Sequence, residues 1–309
     1  MKKSFAIGVD LGGTNLRVAL VSREGEIIKK LKVPSFEKAE EALISSISEM
    51  FEGAENVAGI GIGVAGLIDR ASSIVVISPN LPSIERVPIA EILTARFNVP
   101  VFIENDANAA ALGERLMGTG RKYRNFVLLT LGTGIGGGII YNGKLLNVSA
   151  EIGHMSINST GIKCVCGNHG CLESYASARA ILEYAINALE HGAASVLKEY
   201  CSGNFYKLTP EDIYKAALDG DNLSKDVLRE AGKHLGVGIS NMINIFSPEA
   251  VILAGGLTGA WNIYVQEAIK EASKRTFKQL FDRVEIVQSS LGDNAGVLGS
   301  ACQAFNSKN

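Results

Sequence analysis

Phe5-Ala-Ile-Gly-Val-Asp10-Leu-Gly12-Gly13-Thr14-Asn-Leu-Arg17-Val-Ala-Leu-Val21 returns later in the chain as Phe126-Val-Leu-Leu-Thr130-Leu-Gly132-Thr133-Gly134-Ile-Gly-Gly-Gly-Ile-Ile-Tyr141. Each copy is an apolar, β-branched run, a Gly/Thr turn and a second apolar run, followed by an Arg-Glu-Gly or Tyr-Asn-Gly turn. Asp10 aligns with Thr130 at 130 − 10 = 120, and Gly25 with Gly143 at 143 − 25 = 118, so the registers agree to within two residues. A repeated supersecondary unit predicts a duplicated architecture, each half opening on a β-meander. Tight Gly/Thr turns also suit an anion, since glycine removes the Cβ, N–H groups turn inward and threonine adds a hydroxyl. Two of them facing each other would grip a polyphosphate; the alternative is a pair of ordinary hairpin turns.

Outward from the repeat, short apolar runs predict further strands at Glu26–Val33, Val57–Val64, Val101–Ile103, Ala250–Leu253 and Val284–Val287. Helical spacing predicts helices at Ala39–Phe51, Pro88–Phe97, Ala107–Leu116, Ser177–Glu190, Pro210–Leu218, Ser224–Ile245, Tyr264–Lys274 and Ala295–Phe305. The class is α/β. With 309 residues, two domains are expected: residues 1–118 with 294–309 as a small lobe, and 119–293 as a large lobe, with a cleft between them.

Composition excludes several functions. Thirty Lys+Arg against 32 Asp+Glu leave a net charge of −2, with no basic excess for nucleic acid or an anionic membrane. Glycines, Thr and Asn interrupt the longest uncharged stretches, so none reads as a membrane span, and Ser4–Val9 is too short for a secretory core. A cytoplasmic protein is expected. Five cysteines, three of them within eight residues, then favour metal ligation over a disulfide framework.

Two motif matches are decoys. Gly61-Ile-Gly63-Val-Ala-Gly66 has dinucleotide-fingerprint spacing, but the apolar Gly59–Ile68 stretch continues through it like a strand with no helix start. Gly138 to Lys144 has phosphate-loop spacing, yet Leu145 stands where a magnesium-binding hydroxyl is needed and Asn142-Gly143 is a hairpin signal.

Three segments carry chemistry. In Ile103-Glu-Asn105-Asp106-Ala-Asn108-Ala-Ala110, a short strand runs into an Ala-rich helix, so Asp106 is either a helix cap or part of a site. Three polar side chains crowd one strand end where a cap needs one, and ligands of open α/β sheets sit beyond such ends. Glu151-Ile-Gly-His154 followed by Cys164-Val-Cys166-Gly-Asn-His169-Gly-Cys171-Leu-Glu173 supplies three thiolates and an imidazole, the composition of a closed structural zinc site. His154 is the favoured fourth ligand and His169 its rival, although a residue inside the Cys166–Cys171 loop has difficulty reaching the same metal. Gly255-Gly256, at the end of an apolar strand, either receives a flat base and ribose or turns a corner.

Together these segments resemble the ROK family of sugar kinases and repressors over essentially the whole chain. The resemblance implies the duplicated actin-like ATPase fold and a homodimer. It implies that Asp10, Gly12, Gly13, Thr14, Thr133 and Gly134 hold the phosphates of ATP with Mg2+. Gly255-Gly256 is taken with them as a cofactor contact on its own sequence. The ENDANAA segment becomes the catalytic stretch, with Asp106 as general base and Asn105 as a sugar ligand. The ExGH and CxCGxxGCxE pair makes His154, Cys164, Cys166 and Cys171 the zinc ligands and Glu151, His154 and Glu173 sugar contacts. Ser78-Pro-Asn80-Leu-Pro82 is similar to a glucokinase segment that presents Asn80 and the Gly66 backbone to a hexose, although Ser83-Ile84-Glu85 replaces the Trp often found after it. Repressor members carry a helix-turn-helix ahead of the kinase body, and Asp10 leaves no room for one, which favours the kinases. Fructose, N-acetylmannosamine or N-acetylglucosamine kinases share every motif, and a non-catalytic sugar sensor stays a rival.

Overall fold

In the computed structural model, which describes residues 4–13, 15–34, 39–78 and 81–306, the first copy forms β1 (Phe5–Leu11), β2 (Asn15–Ser22) and β3 (Ile27–Pro34) as an antiparallel meander. After α1 (Ala39–Phe51) come β4 (Val57–Val64), the hairpin β5 (Leu67–Asp69) and β6 (Ile74–Ile77), and α2 (Ile89–Phe97). Then β7 (Val101–Asn105) runs into α3 (Asp106–Met117) with no residue between them. β4 and β7 add in parallel, giving the order β3-β2-β1-β4-β7.

The second copy forms β8 (Phe126–Leu131), β9 (Ile135–Tyr141) and β10 (Lys144–Leu145). A helical stretch follows: α4 (Glu173–Ala176), α5 (Ala178–Glu190), α6 (Leu197–Tyr200), α7 (Pro210–Leu218) and α8 (Asn222–Phe246). The chain closes with β11 (Ala250–Ala254), α9 (Gln266–Arg275), α10 (Lys278–Phe281), β12 (Glu285–Gln288) and α11 (Ala295–Asn306). The second sheet has the order β10-β9-β8-β11-β12, so the two sheets repeat one topology strand for strand. This is the duplicated actin-like α/β fold.

Every residue of β4 is buried, which is why it reads as an unbroken apolar run. Its glycines admit a helix: a Cβ on Gly61 would come within 1.8 Å of the Ser300 carbonyl oxygen of α11. Close packing of helix on sheet therefore accounts for the dinucleotide-like spacing. The strand spans Val57–Val64 as expected, and past it Gly66, with a φ of +153°, leads the apolar stretch into β5. The phosphate-loop lookalike lies in β9 and a turn, where Asn142 and Gly143 both have positive φ and lead into β10.

By its internal packing the chain divides into two compact units, one of residues 1–128, 138–150 and 289–309, the other of 129–137 and 151–288. The first has an apolar core between its sheet and α1, including Ile7, Leu16, Leu43, Ile47 and Ile60. α11 covers the other sheet face through Val297, Leu298 and Ala301. Among the described residues no helix is long and apolar enough to cross a membrane.

Candidate active site

In the first unit, β1 delivers Asp10 to the edge of its turn, where Arg17, its cross-strand partner, donates Nη1 to Oδ2 at 3.1 Å. Burial pushes the Asp10 carboxyl above its ordinary range, and the Arg17 charge pulls it back in part. Gly12 donates its N–H to the Asn15 carbonyl at 3.1 Å, closing the turn. Gly296 of α11 packs on Asp10, leaving 3.0 Å between Cγ and the place a Cβ would take. Thr14 and Asn80 lie outside the described residues.

Asn105 and Asp106 stand where β7 becomes α3. The Asn105 side chain caps the helix, its Oδ1 accepting from the N–H groups of Ala107 and Asn108 at 3.0 and 3.2 Å. Its Nδ2 donates to the Gly66 carbonyl at 3.2 Å, so two expected substrate residues are tied to each other. The cap falls to Asn105, which relieves Asp106 of that duty; Asp106 Oδ1 accepts from the Ala107 N–H at 2.8 Å. Behind them Glu104 collects three donors on Oε1: Arg70 Nη2 at 2.7 Å, the Asn105 N–H at 2.9 Å and Asn108 Nδ2 at 3.1 Å. Arg70 and Glu104 were not expected at the site, and Asn108 was expected there only as one of three crowded polar side chains, with no role of its own. Glu104 and Asn108 are legible only as the polar surplus of ENDANAA, and nothing local marks Arg70.

The second unit has its own turn. Thr130 Oγ1 accepts from the Gly136 N–H at 3.1 Å, and Gly132 donates to the Gly134 carbonyl at 3.0 Å. Glu173 braces this turn: its Oε2 accepts from the Ile135 N–H at 2.9 Å and would sit 2.2 Å from a Cβ at Gly134. Thr133 is exposed. Gly255, with φ of +93°, closes against β8, where a Cβ would meet the Leu131 carbonyl at 2.4 Å, whereas Gly256 faces open space. Of that pair, the first turns the corner and the second leaves room for a ligand.

His154, Cys164, Cys166 and Cys171 converge, with one ligand atom from each lying within 4.8 Å of all the others. His154 Nδ1 is 3.7 Å from Cys164 Sγ, and Cys166 Sγ is 3.7 Å from Cys171 Sγ. Zinc–sulfur bonds of about 2.3 Å give a tetrahedron edge of roughly 3.8 Å, so the side chains fit a tetrahedral zinc ion. His169 is absent from this group and its backbone bridges Lys163, so His154 is the imidazole that stands with the three thiols. A turn in which Cys164 donates to the Asn168 carbonyl at 2.8 Å and Gly167 to the Cys164 carbonyl at 3.0 Å presents the first two thiols. Tyr175 Oη accepts from the Ile162 N–H at 2.7 Å and pins the loop to the helices. Burial pushes the Cys171 thiol up to about 12. It pushes Cys164 up as well, but hydrogen bonds from the Cys166 backbone and Ser174 bring that thiol down to about 7. A bound dication would favour the thiolate form of each ligating cysteine.

Glu151 is exposed and close enough to His154 and Glu173 to feel both: desolvation lifts its carboxyl, His154 lowers it and Glu173 lifts it further. The loop thus brings Glu151, His154 and Glu173 together.

The ROK family model matches residues 6–306. The chain belongs to the ROK family. It is 38% identical to a glucokinase of Thermotoga maritima, covering 97% of both chains, and 37% identical to one of Streptomyces coelicolor, covering 96% of both. A xylose repressor of Caldicellulosiruptor bescii is 34% identical over 95% of this chain and 76% of its own. Among solved structures, a ROK family glucokinase from Streptomyces griseus in complex with glucose and AMPPNP superposes with a TM-score of 0.86 at 34% identity, covering 97% of this chain and 98% of its own. A ROK family transcriptional regulator superposes with a TM-score of 0.87 at 29% identity, covering 78% of its own chain.

Proposed function

We propose that this ROK chain is an ATP-dependent hexokinase, a glucokinase that transfers the γ-phosphoryl group of ATP to the sugar 6-hydroxyl. The observation that carries this reading is the Asn105–Asp106 pair, fixed at the end of β7 by a cap and by the Gly66 carbonyl, on a chain that matches glucokinases nearly end to end. The retained Asp106 and phosphate turns support a kinase over the regulator reading that the repressor relatives raise.

Phosphoryl transfer asks for positioning and charge stabilisation more than covalent help. Asp106 accepts the proton of the 6-hydroxyl as that oxygen bonds to the γ-phosphorus, and the bond from phosphorus to the β,γ-bridging oxygen breaks to release ADP. Asn105 and the Gly66 backbone orient the hexose with Asn80, and Glu151, His154 and Glu173 read its remaining hydroxyls. The Asp10–Thr14 and Thr133–Gly134 turns take the phosphates, and Gly255-Gly256 the nucleoside. Asp10 is the carboxylate suited to Mg2+, which supplies charge neutralisation along the triphosphate when bound. His154, Cys164, Cys166 and Cys171 hold structural Zn2+, with His154 Nδ1 facing the metal position and Nε2 left for a hydroxyl. The enzyme works in the cytoplasm as a homodimer.

A coupled assay of ADP formation across glucose, fructose, mannose and the N-acetylhexosamines tests the reading. Fastest turnover with glucose is expected. ATP consumption with no sugar of the panel overturns the kinase reading, and preference for an N-acetylhexosamine overturns its finer half.

A further inference from the structure

Arg70 sits in the turn between β5 and β6, far in sequence from everything it touches. The turn holds its backbone still: Asp69 Oδ1 accepts from the Ala71 N–H at 3.0 Å and Oδ2 from the Ser72 hydroxyl at 2.6 Å. From this platform the guanidinium splits. Nη2 donates to Glu104 Oε1 at 2.7 Å and to the Val148 carbonyl at 3.2 Å, and Nη1 donates to the Asn147 side-chain oxygen. One arm therefore ends on the carboxylate that holds the Asn105 N–H, the other on the loop that leads in three residues to Glu151.

Asn108 ties the same two ends from inside the helix. Its Nδ2 donates to Glu104 Oε1 at 3.1 Å and to the Val148 carbonyl at 3.2 Å. Asn108 is fully buried, and its Oδ1 has no hydrogen-bond partner among the described residues. An orphaned buried amide oxygen costs about 1–3 kcal/mol, set here against the two bonds that the Asn108 nitrogen donates.

We infer that Arg70 is a positioning residue for sugar phosphorylation, setting the Asn105–Asp106 pair through Glu104 and the approach to Glu151 through Asn147 and Val148. The inference rests on the proposed sugar site. Arginine is required because its planar fork serves a carboxylate and two loop acceptors at once, whereas an ammonium is a single point charge.

The two arms separate by mutation. Turnover is measured with glucose and ATP, glucose binding by calorimetry without nucleotide, and folding by thermal melting. Arg70→Ala is expected to lower kcat and raise the glucose KM, each by about tenfold or more, the scale that small misplacements of reacting groups produce. Arg70→Lys keeps a charge for Glu104, so kcat returns to within about threefold of the wild type while the raised KM persists. Asn147→Ala removes the loop acceptor of Nη1 while leaving the bonds to Glu104 and the Val148 carbonyl, and raises KM and the calorimetric Kd together, with kcat within about twofold. Lowered melting temperatures with KM, kcat and Kd all unmoved would mean that the network only supports the fold, and the inference would be lost. Full recovery of KM in Arg70→Lys overturns it too. If the wild-type protein turns over no sugar, the kinase reading fails separately, and the glucose Kd of Asn147→Ala still decides whether the loop arm shapes the sugar site.

Discussion

The β7–α3 and β12–α11 junctions occupy equivalent places in the two sheets, and each helix carries a Leu-Gly pair, Leu112-Gly113 and Leu298-Gly299. At the first, strand passes into helix without a spacer, so Glu104, Asn105, Asp106 and Asn108 are compressed into one hydrogen-bonded knot. At the second, residues 289–294 intervene, and Asp293 is 70% exposed with only a 3.3 Å pair to Arg17. That second loop is held from the α3 side by the fully buried Glu114, which accepts from the Ser289 hydroxyl at 2.5 Å and the Leu291 N–H at 3.2 Å. The same carboxylate accepts from the Thr119 N–H at 2.7 Å. Both junctions carry an aspartate; without a spacer Asp106 lies inside a hydrogen-bonded knot, whereas beyond a spacer Asp293 is a surface acid.

The largest effect should fall on that contrast. Asp106→Asn is expected to lower kcat by about 10²–10⁴-fold with an unchanged melting curve, the range for loss of a general base. Asp293→Asn should cost under about threefold, as exposed ion pairs contribute little. Equal losses in the two variants would erase the distinction.

Metal removal comes next. Cys166→Ser or chelation is expected to lower the melting temperature and to raise the glucose KM by about 10–100-fold together, because the ion orients His154. Elemental analysis should find one zinc per chain, and active protein purified without zinc would refute the assignment.

The helices of the two junctions cross at matched glycines. A Cβ on Gly299 would come within 1.7 Å of the Ala109 carbonyl oxygen, and one on Gly113 within 2.4 Å of the Ala295 carbonyl oxygen. Alanine at either position is expected to cost about 1–3 kcal/mol, more at Gly299, measured by urea unfolding. A neutral Gly299→Ala would show that this crossing is loose.

The smallest effect concerns Asp10. Its carboxyl is raised by burial, so the folded state binds its proton more tightly than the unfolded chain does. Stability contributed by this group is then present below the unfolded value and is lost as pH rises through the folded one. Asp10→Asn should flatten that fall, equalling the wild type near pH 4 and melting at or above it near pH 7, while losing phosphoryl transfer. A variant that melts lower at both pH values would show that the Arg17 pair outweighs burial.

Strand and helix positions were legible because their apolar periods are local, and every segment named from periodicity appears at nearly its expected place. The zinc set was legible because its ligands span only 18 residues, 154 to 171, and thiols have few other reasons to cluster. The choice between His154 and His169 was not, since it depends on which imidazole the loop turns inward. Glu173 was expected at the sugar; that it also accepts the Ile135 N–H depends on a contact across 38 residues.

Sequence alone determined the duplicated α/β plan, the Gly/Thr turns and the identity of the chemistry-bearing side chains, because backbone period, turn chemistry and ligand type are properties of short stretches. Tertiary structure decided which of the two junctions is tied into a hydrogen-bonded knot, that Asn105 takes the cap beside Asp106, and that Arg70 reaches Glu104 and Val148 across 34 and 78 residues. Those outcomes depend on where packed elements bring distant groups within hydrogen-bond range, and no local pattern encodes that distance.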